Sequence, residues 1–241
     1  MDKIKQLKNI IKTSNNIVLL TGAGISVPSG IPDFRSAKGI YNQKLNTTFK
    51  PEDIISHSFF MNYPKEFYDF YKDKMIYQDA TFNKAHVFFA ELEKTKKLKA
   101  IITQNIDSLH LDAGSKNVLE IHGSVKRNYC MKCNKFYDIN KILDSNLPYC
   151  ECGGLIKPDV VLYEEQLDLN LLEKAISYVA NCDTFIVVGT SLIVHPAAGL
   201  LSYFKGNNLV LINKSKTNYD YLANLVINDD IINVINLLEG E

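Results

Sequence analysis

Four short, almost wholly apolar runs punctuate the chain: Ile17–Leu20 (IVLL), Ala100–Thr103 (AIIT), Phe185–Val188 (FIVV) and Leu209–Ile212 (LVLI). None alternates with polar residues, the mark of strands covered on both faces, and helical patterns lie between them. Together they predict an α/β fold: a Rossmann-like parallel sheet with helices on both faces. At the N-terminus Ile4, Leu7, Ile10 and Ile11 recur at helical spacing among lysines, predicting an amphipathic helix packed on that core. Each run gives way to polar or glycine-rich residues: TGAGIS, QNIDSLH, GTSL and NKS. Ligands of open parallel sheets bind outside the carboxyl ends of the strands, so these four ends outline one extended site.

Two stretches break the alternation. Residues 37–80 are rich in aromatics and lysine, with helical segments such as PKEFYDFYKDKM, and predict a helical insertion. Residues 126–158 hold four of the five cysteines and predict a small zinc-binding module. The sheet domain is then discontinuous, made of 1–36, 81–125 and 159–241.

Composition narrows the functional classes. The 241 residues, 46% hydrophobic, suffice for one large domain carrying smaller modules. Lys plus Arg equals Asp plus Glu at 27 each, so no net field draws the chain to nucleic acid or anionic lipid, and neither is expected as a partner. The basic run Lys94–Lys99 reads as a solvated helix end. No apolar stretch approaches the roughly 20 residues that span a bilayer, and the start does not resemble a signal-peptide core. A cytoplasmic protein is expected, in which clustered cysteines point to metal rather than disulfides.

The motifs carry the chemistry. Gly22-Ala23-Gly24 follows a strand, where a tight turn and backbone approach to a pyrophosphate both exclude side-chain bulk. The third position of the usual glycine fingerprint is Val27, and the acidic residue about 20 positions on lacks its usual context, so a dehydrogenase fits poorly. Ser29-Gly30-Ile31-Pro32 stops any helix and turns the chain into a loop that carries Asp33, Phe34 and Arg35. Gln104, Asn105 and Asp107 at the next strand end suit a polar ligand such as an amide, or helix capping. His122, followed by Gly123, is the best general-base candidate of the five histidines. Cys130-x-x-Cys133 and Cys150-x-Cys152 are separated by 16 residues and can converge as a closed tetrahedral thiolate set, a structural zinc site. Cys182, on the approach to a buried strand, reads as an inert core thiol.

In their order along the chain, GAGISVPSGIPDFRS, TQNIDSLH, IHG, the two cysteine pairs, KPDVVLYEE, GTSLIVHPAA and LVLIN resemble the sirtuins, the NAD-dependent protein-lysine deacylases. The resemblance runs from about residue 12 to the C-terminus. It implies that Gly22, Ala23, Gly24 and Gly189 form the glycine-lined NAD site, that Asp33, Phe34 and Arg35 close over the nicotinamide ribose, and that Gln104 lies near that ribose. Asn105, Ile106 and Asp107 match the nicotinamide carboxamide pocket; Thr190, Ser191 and Asn213 match adenosine and phosphate contacts; Val27 and Ile231 are assigned from their neighbours. His122 matches the catalytic base. An acyl-lysine protein or peptide would pair with Val160, Val161, Leu162 and Tyr163, and Val194 is assigned to the same substrate.

The implied reaction consumes NAD: the acyl oxygen attacks the ribose carbon bearing nicotinamide, and His122 acts through the ribose hydroxyls to pass the acyl group to ADP-ribose. The zinc would only brace its module. Relatives that remove succinyl or malonyl groups carry Tyr-x-x-Arg in the insertion; here Tyr68 is followed by Tyr71, which favours deacetylation and longer apolar acyl groups over desuccinylation. Where many relatives have Gly-Glu after the aromatic residue, this chain has Glu164-Glu165, which predicts altered peptide preference. Two rivals differ in the assay they predict: a protein mono-ADP-ribosyltransferase on the same fold, and a zinc-ribbon binding module with no NAD turnover.

Overall fold

The computed structural model describes residues 2–34, 36, 39–42 and 49–240. Among them run nine strands: β1 (Ile17–Thr21), β2 (Leu98–Thr103), β3 (Val118–Glu120), β4 (Gly123–Cys130), β5 (Phe136–Tyr137), β6 (Ile156–Val160), β7 (Thr184–Val188), β8 (Asn208–Ile212) and β9 (Leu225–Ile227). Six form a parallel sheet in the order β3-β2-β1-β7-β8-β9. The chain builds outward from β1 to β3, then returns to build outward from β7 to β9. The direction reverses between β1 and β7, which pair in register from Ile17↔Thr184 to Thr21↔Val188. Their carboxyl ends therefore stand at the switch point where such sheets bind ligands.

Every residue of β1 and β7 is buried, which is why their sequences show no polar alternation. Side chains leave the sheet alternately. Ile17 and Leu19 face Leu7 and Ile10 of the helix Lys3–Thr13, Phe89 of Lys84–Lys94 and Val234 of Ile231–Glu239. Val18 and Leu20 face the other side, covered by the helix Leu169–Asn181 and the 3-10 helix Ala197–Tyr203. Asp2, Asn83, Asp168 and Asp230 accept backbone N–H bonds at the starts of these helices. Ile4 and Ile11 are partly buried against the same core. Strands β3 and β9 have no counterpart among the apolar runs: each is a three-residue edge strand, too short to show a period.

A third core lies apart from the sheet. Phe60, Phe67, Tyr68 and Tyr71, from the helices His57–Asn62 and Pro64–Lys74, pack with Ile142, Ile156 and Val160. Tyr68 donates its hydroxyl proton to the Ile156 carbonyl. The helical insertion and the cysteine segment thus share one core. β4 pairs antiparallel with β5 and β6 and carries the chain out of the sheet region, and β6 brings it back. Among the described residues no helix is long and apolar enough to cross a membrane.

Candidate active site

Beyond β1 the chain turns at Gly22 and coils through two 3-10 turns, Ala23–Ile25 and Val27–Ser29, the second closed by Gly30 at φ +89°. Gly24 meets the end of β7 back to back. A Cβ on Gly24 would stand 2.5 Å from Gly189 Cα, and the Gly24 N–H donates to the Gly189 carbonyl at 2.8 Å. Two strand ends cross here with no room for a side chain on either, a need quite separate from approach to a phosphate.

Above this crossing opens a cleft of about 1240 Å³. Gly22, Ala23, Gly24 and Val27 line it from the first turn, and Ile31, Pro32, Asp33 and Phe34 from the loop that follows. Phe34 packs against Tyr41, ring centroids 5.4 Å apart, and Asp33 accepts the Ser36 N–H at 2.7 Å. Arg35 lies outside the described residues.

The end of β2 is held against the first turn. The Gln104 N–H donates to Thr21 O at 2.9 Å, and its side-chain amide donates to Thr190 Oγ1 at 3.1 Å. Asn105 Nδ2 donates to Ser26 Oγ at 3.0 Å, and Ser26 Oγ donates in turn to Asp107 Oδ2 at 2.7 Å. The other Asp107 oxygen accepts from Leu109 N–H at 2.9 Å. Of the two readings from sequence, the bond to Leu109 N–H is the capping one, at the start of the helix Leu109–Asp112. Burial pushes the Asp107 pKa up, against the bonds from Leu109 and Ser26. Asn105 and Ile106 line the main cleft; Asp107 instead lines an adjoining cavity of about 310 Å³ together with them and Phe34. Ser26 sits inside the glycine motif and was not singled out there; a small hydroxyl within a glycine-rich turn was its only signal.

His122 follows β3 and lines the cleft. Its Nδ1 lies 2.9 Å from the Gln104 carbonyl, which can only accept, so Nδ1 carries the proton and Nε2 keeps its lone pair. Burial lowers its pKa below 6.5, opposed by the Gln104 carbonyl, so the ring is a neutral base at pH 7. The next residue, Gly123, has φ +78°, and a Cβ there would fall 1.8 Å from Asp159 O. Glycine lets β6 close on the histidine. The Val161 N–H then donates to His122 O at 3.0 Å.

Val160, Val161, Leu162 and Tyr163 form one wall of the cleft, and Val194 lines it as well. Tyr163 is tied to the insertion by a parallel bridge to Ser56: its N–H donates to Ile55 O at 3.0 Å, and its carbonyl accepts from His57 N–H at 3.0 Å. Glu164 adopts φ +76° and accepts from Ser58 N–H at 2.8 Å and Ser58 Oγ at 2.9 Å. Glu165 accepts from His57 Nδ1 at 2.8 Å and Leu162 N–H at 2.9 Å, and pairs with Lys157 Nζ at 3.0 Å. Burial works against its charge, but these bonds hold its carboxyl below the usual range. In the sequence Glu165 shows only as half of the Glu164-Glu165 pair and Lys157 only as the start of KPDVVLYEE, while His57 has no local signal.

At the far end Gly189, Thr190, Ser191, Asn213 and Ile231 line the cleft from the ends of β7 and β8 and the last helix. Asn213 Nδ2 is buried without a partner, a donor free for a ligand acceptor. Together with the bare glycine turn and the side-chain amides of Gln104 and Asn105, it fits a polar dinucleotide.

The four cysteines converge. The Sγ atoms of Cys130, Cys133, Cys150 and Cys152 all lie within 4.8 Å of one another, with Cys130–Cys152 at 3.4 Å and Cys133–Cys150 at 3.5 Å. A tetrahedral zinc with Zn–S near 2.3 Å sets its sulfurs about 3.8 Å apart. Backbone N–H groups of Lys132 and Cys133 point at Cys130 Sγ, and that of Cys152 at Cys150 Sγ, an environment suited to thiolates. The residues fit one closed structural ion. Cys182 stands apart, buried, its thiol donating to Val179 O and its pKa pushed up to about 12 by burial.

Comparisons with known proteins agree with this geometry. Residues 22–196 match the Sir2 family model. An NAD-dependent protein deacetylase from Clostridium perfringens is 60% identical over 237 residues, 97% of each chain. A solved Sir2 structure with a deacetylated p53 peptide and 3'-O-acetyl ADP-ribose superposes with TM-score 0.90 at 38% identity, over 98% of this chain and 97% of that one. A Sir2 structure with p53 peptide and NAD gives 0.84 at 38% identity, covering 98% and 97%. With the family model matched across the glycine turn, the histidine and the cysteine module, this chain belongs to the Sir2 family.

Proposed function

We propose that the chain is an NAD-dependent protein-lysine deacetylase that passes the acyl group of acyl-lysine to ADP-ribose and releases nicotinamide, with His122 as its general base. One observation carries the assignment of that base: a neutral His122, held through Nδ1 by the Gln104 carbonyl, stands in the same cleft as the glycine turn and the wall Val160–Tyr163. NAD supplies a ribose carbon made electrophilic by a leaving group that departs neutral. The chain's residues do the rest. Gly22, Ala23, Gly24 and Gly189 leave space for the pyrophosphate, with Val27 beside them; Thr190, Ser191, Asn213 and Ile231 take the adenosine end. Asn105, Ile106 and Asp107 would orient the carboxamide, Gln104 would face the ribose, and Asp33 and Phe34 would cover it. Such positioning is what a weak nucleophile such as an amide oxygen requires. His122 Nε2 then accepts a proton from the ribose hydroxyls.

The peptide lies along Val160, Val161, Leu162 and Tyr163 as an added strand, and Val194 lines the same cleft. Ile55, Met75 and Tyr71 line the same cleft, and none of the three offers a cation to a carboxylate. Acetyl and longer apolar groups are preferred to succinyl on that account. Four thiolates leave the zinc no open position, so it braces the module. We divide the chain into a dinucleotide-binding part (1–36, 81–125, 159–241), a helical insertion (37–80) and a zinc module (126–158), a division supported by all six parallel strands falling in the first part. A reducing compartment, the cytoplasm, suits a thiolate site.

The test is nicotinamide release from NAD that depends on an acetyl-lysine peptide. The wild type releases nicotinamide and free lysine peptide together; His122→Ala keeps zinc and fold but forms no deacylated product. A preference for succinyl over acetyl and decanoyl peptides refutes the acyl assignment, and mass added to the target as ADP-ribose refutes deacylation.

A further inference from the structure

The edge strand β3 pairs with β2 through only three residues, the last pair being Thr103↔Glu120, and His122 stands two positions beyond that end. A side-chain network surrounds it, made by Ser108, Glu120, Ser124, Arg127 and Asp159, none of which lines the cleft. Glu120 is 6% exposed, and Ser108 and Ser124 are buried with it. Ser108 Oγ donates to Glu120 Oε1 at 2.6 Å, which uses its one proton. The bond of 2.7 Å between the two serines is therefore donated by Ser124, whose oxygen accepts the Lys126 N–H at 3.1 Å. Arg127 donates through Nη1 to the other Glu120 oxygen and through Nε to Asp159 Oδ2 at 2.7 Å. Each link has a donor and an acceptor.

The network joins three segments that meet around the histidine. Ser108 directly follows Asp107 and keeps φ +62°, a left-handed conformation that a serine holds only where its surroundings fix it. Glu120 and Ser124 flank His122 at equal distance along the chain. Asp159 belongs to β6; its carbonyl is the one on which Gly123 closes, and two residues on the Val161 N–H holds the His122 carbonyl. We infer that Arg127 and Glu120 are positioning residues for the base: their ion pair, with Ser108 and Ser124, fixes the span from Glu120 to Ser124 against the pocket loop and β6, and so keeps the His122 ring at the Gln104 carbonyl. The role rests on the reading of His122 as general base. Burial works against the Arg127 charge, but its bonds to Glu120 and Asp159 raise its pKa above the usual arginine value. The two carboxylates differ in their need for it. The Glu120 side chain is 5% exposed and that of Asp159 40%, so without Arg127 it is Glu120 that keeps a buried charge with no cation.

A brace that served stability alone would leave the imidazole where it is once stability was restored; a positioning network would not. The experiment joins imidazole ¹⁵N spectra of the full-length, zinc-loaded protein to steady-state kinetics of deacetylation, the His122 signals being identified by their loss in His122→Ala. The wild type should show His122 neutral and protonated on Nδ1. In Arg127→Met the ring should leave the Gln104 carbonyl and become a mixture of tautomers, with kcat lowered roughly ten- to hundred-fold, because misplacement by up to 1 Å costs on that scale. The dissociation constant for NAD should stay within about three-fold, since no bond of the network reaches the glycine turn or the ends of β7 and β8. Glu120→Gln/Arg127→Met removes both charges and keeps an acceptor for Ser108, so its melting temperature should return toward wild type. In that stable double variant a mixed His122 tautomer with low kcat supports the positioning role; wild-type kcat, or His122 still wholly on Nδ1, overturns it. If the wild type turned over no NAD, the proposed function would fall, while the ¹⁵N spectra would still decide whether the network holds the ring.

Discussion

A methyl group added at Gly24 meets backbone in every direction that matters. In Gly24→Ala the new Cβ would lie 2.5 Å from Gly189 Cα, 2.9 Å from its carbonyl oxygen and 3.1 Å from its carbonyl carbon. Carbon atoms rest about 3.5–4.0 Å apart, so the first turn and the end of β7 must separate by about 1 Å. No flexible side chain is present to yield instead. The separation stretches the bonds from Gly24 N–H to Gly189 O (2.8 Å) and from Gly22 N–H to Val188 O (3.0 Å). Overpacking of this kind costs about 1–3 kcal/mol, less than the 5–15 kcal/mol that holds a domain folded. The fold survives. The glycine turn, proposed above to hold the cofactor, is however displaced by about 1 Å, and misplacement on that scale costs about 100-fold in catalysis.

Calorimetric titration with NAD, a thermal melt and a zinc determination on the purified variant separate the two effects. The expectation is a dissociation constant for NAD raised at least about ten-fold, kcat/KM lowered about 100-fold, and one zinc retained. Gly114→Ala is the control. Gly114 has φ +100° and a Cβ there would meet nothing within 4 Å, so alanine adds only left-handed backbone strain of about 1–2 kcal/mol, with no effect on NAD. A Gly24→Ala protein that binds NAD within two-fold of wild type would refute the claim that this crossing shapes the cofactor site.

Three further outcomes are expected. Stability should fall on acidification: His86 titrates near 4 in the fold against 6.5 unfolded, so the unfolded chain binds the extra proton between those values, and stability is complete above pH 6.5 and lost toward pH 4. That gap is worth roughly 3 kcal/mol at about 1.4 kcal/mol per pH unit, and urea unfolding at pH 7 and 4.5 should show a smaller pH dependence in His86→Leu than in wild type. Stripping the zinc should unravel β4, β5 and β6 and abolish deacetylation together with part of the circular dichroism signal; full activity in a zinc-free, folded protein would contradict a bracing role. Glu164→Gly relieves a left-handed residue by about 1 kcal/mol and gives up the two bonds to Ser58, each worth about 1 kcal/mol, so its melting temperature should fall by about 2–4 °C while KM for peptide rises several-fold; an unchanged KM would mean that the Ser58 tie does not shape the groove.

What could be read from sequence was whatever leaves a local or regular trace. β1, β7 and β8 show themselves because burial on both faces removes polar residues from consecutive positions. β3 and β9 do not, since three residues at an edge leave no period to detect. The cysteine pairs are legible for the same local reason: a metal dictates short spacings, and all four sulfurs do meet. The resemblance supplied a role for each motif residue, yet it could not supply the contacts that hold those residues.

Gly24 shows the difference most sharply. Its lack of a side chain reads naturally as room for a phosphate, but the atoms that forbid a Cβ belong to Gly189, 165 positions away, at the end of another strand. Likewise Asn83 grips Ile25 and Ser29 across more than 50 residues. Periodic burial makes elements visible because it is imposed along the chain; the site is imposed across the switch point, where β1, β2 and β7 end together. A residue placed there answers to partners from other strands. Substitutions at Gly24 or Asn83 should accordingly disturb dinucleotide binding more than any local pattern around them suggests, and the register of the strand ends is the physical quantity that joins them.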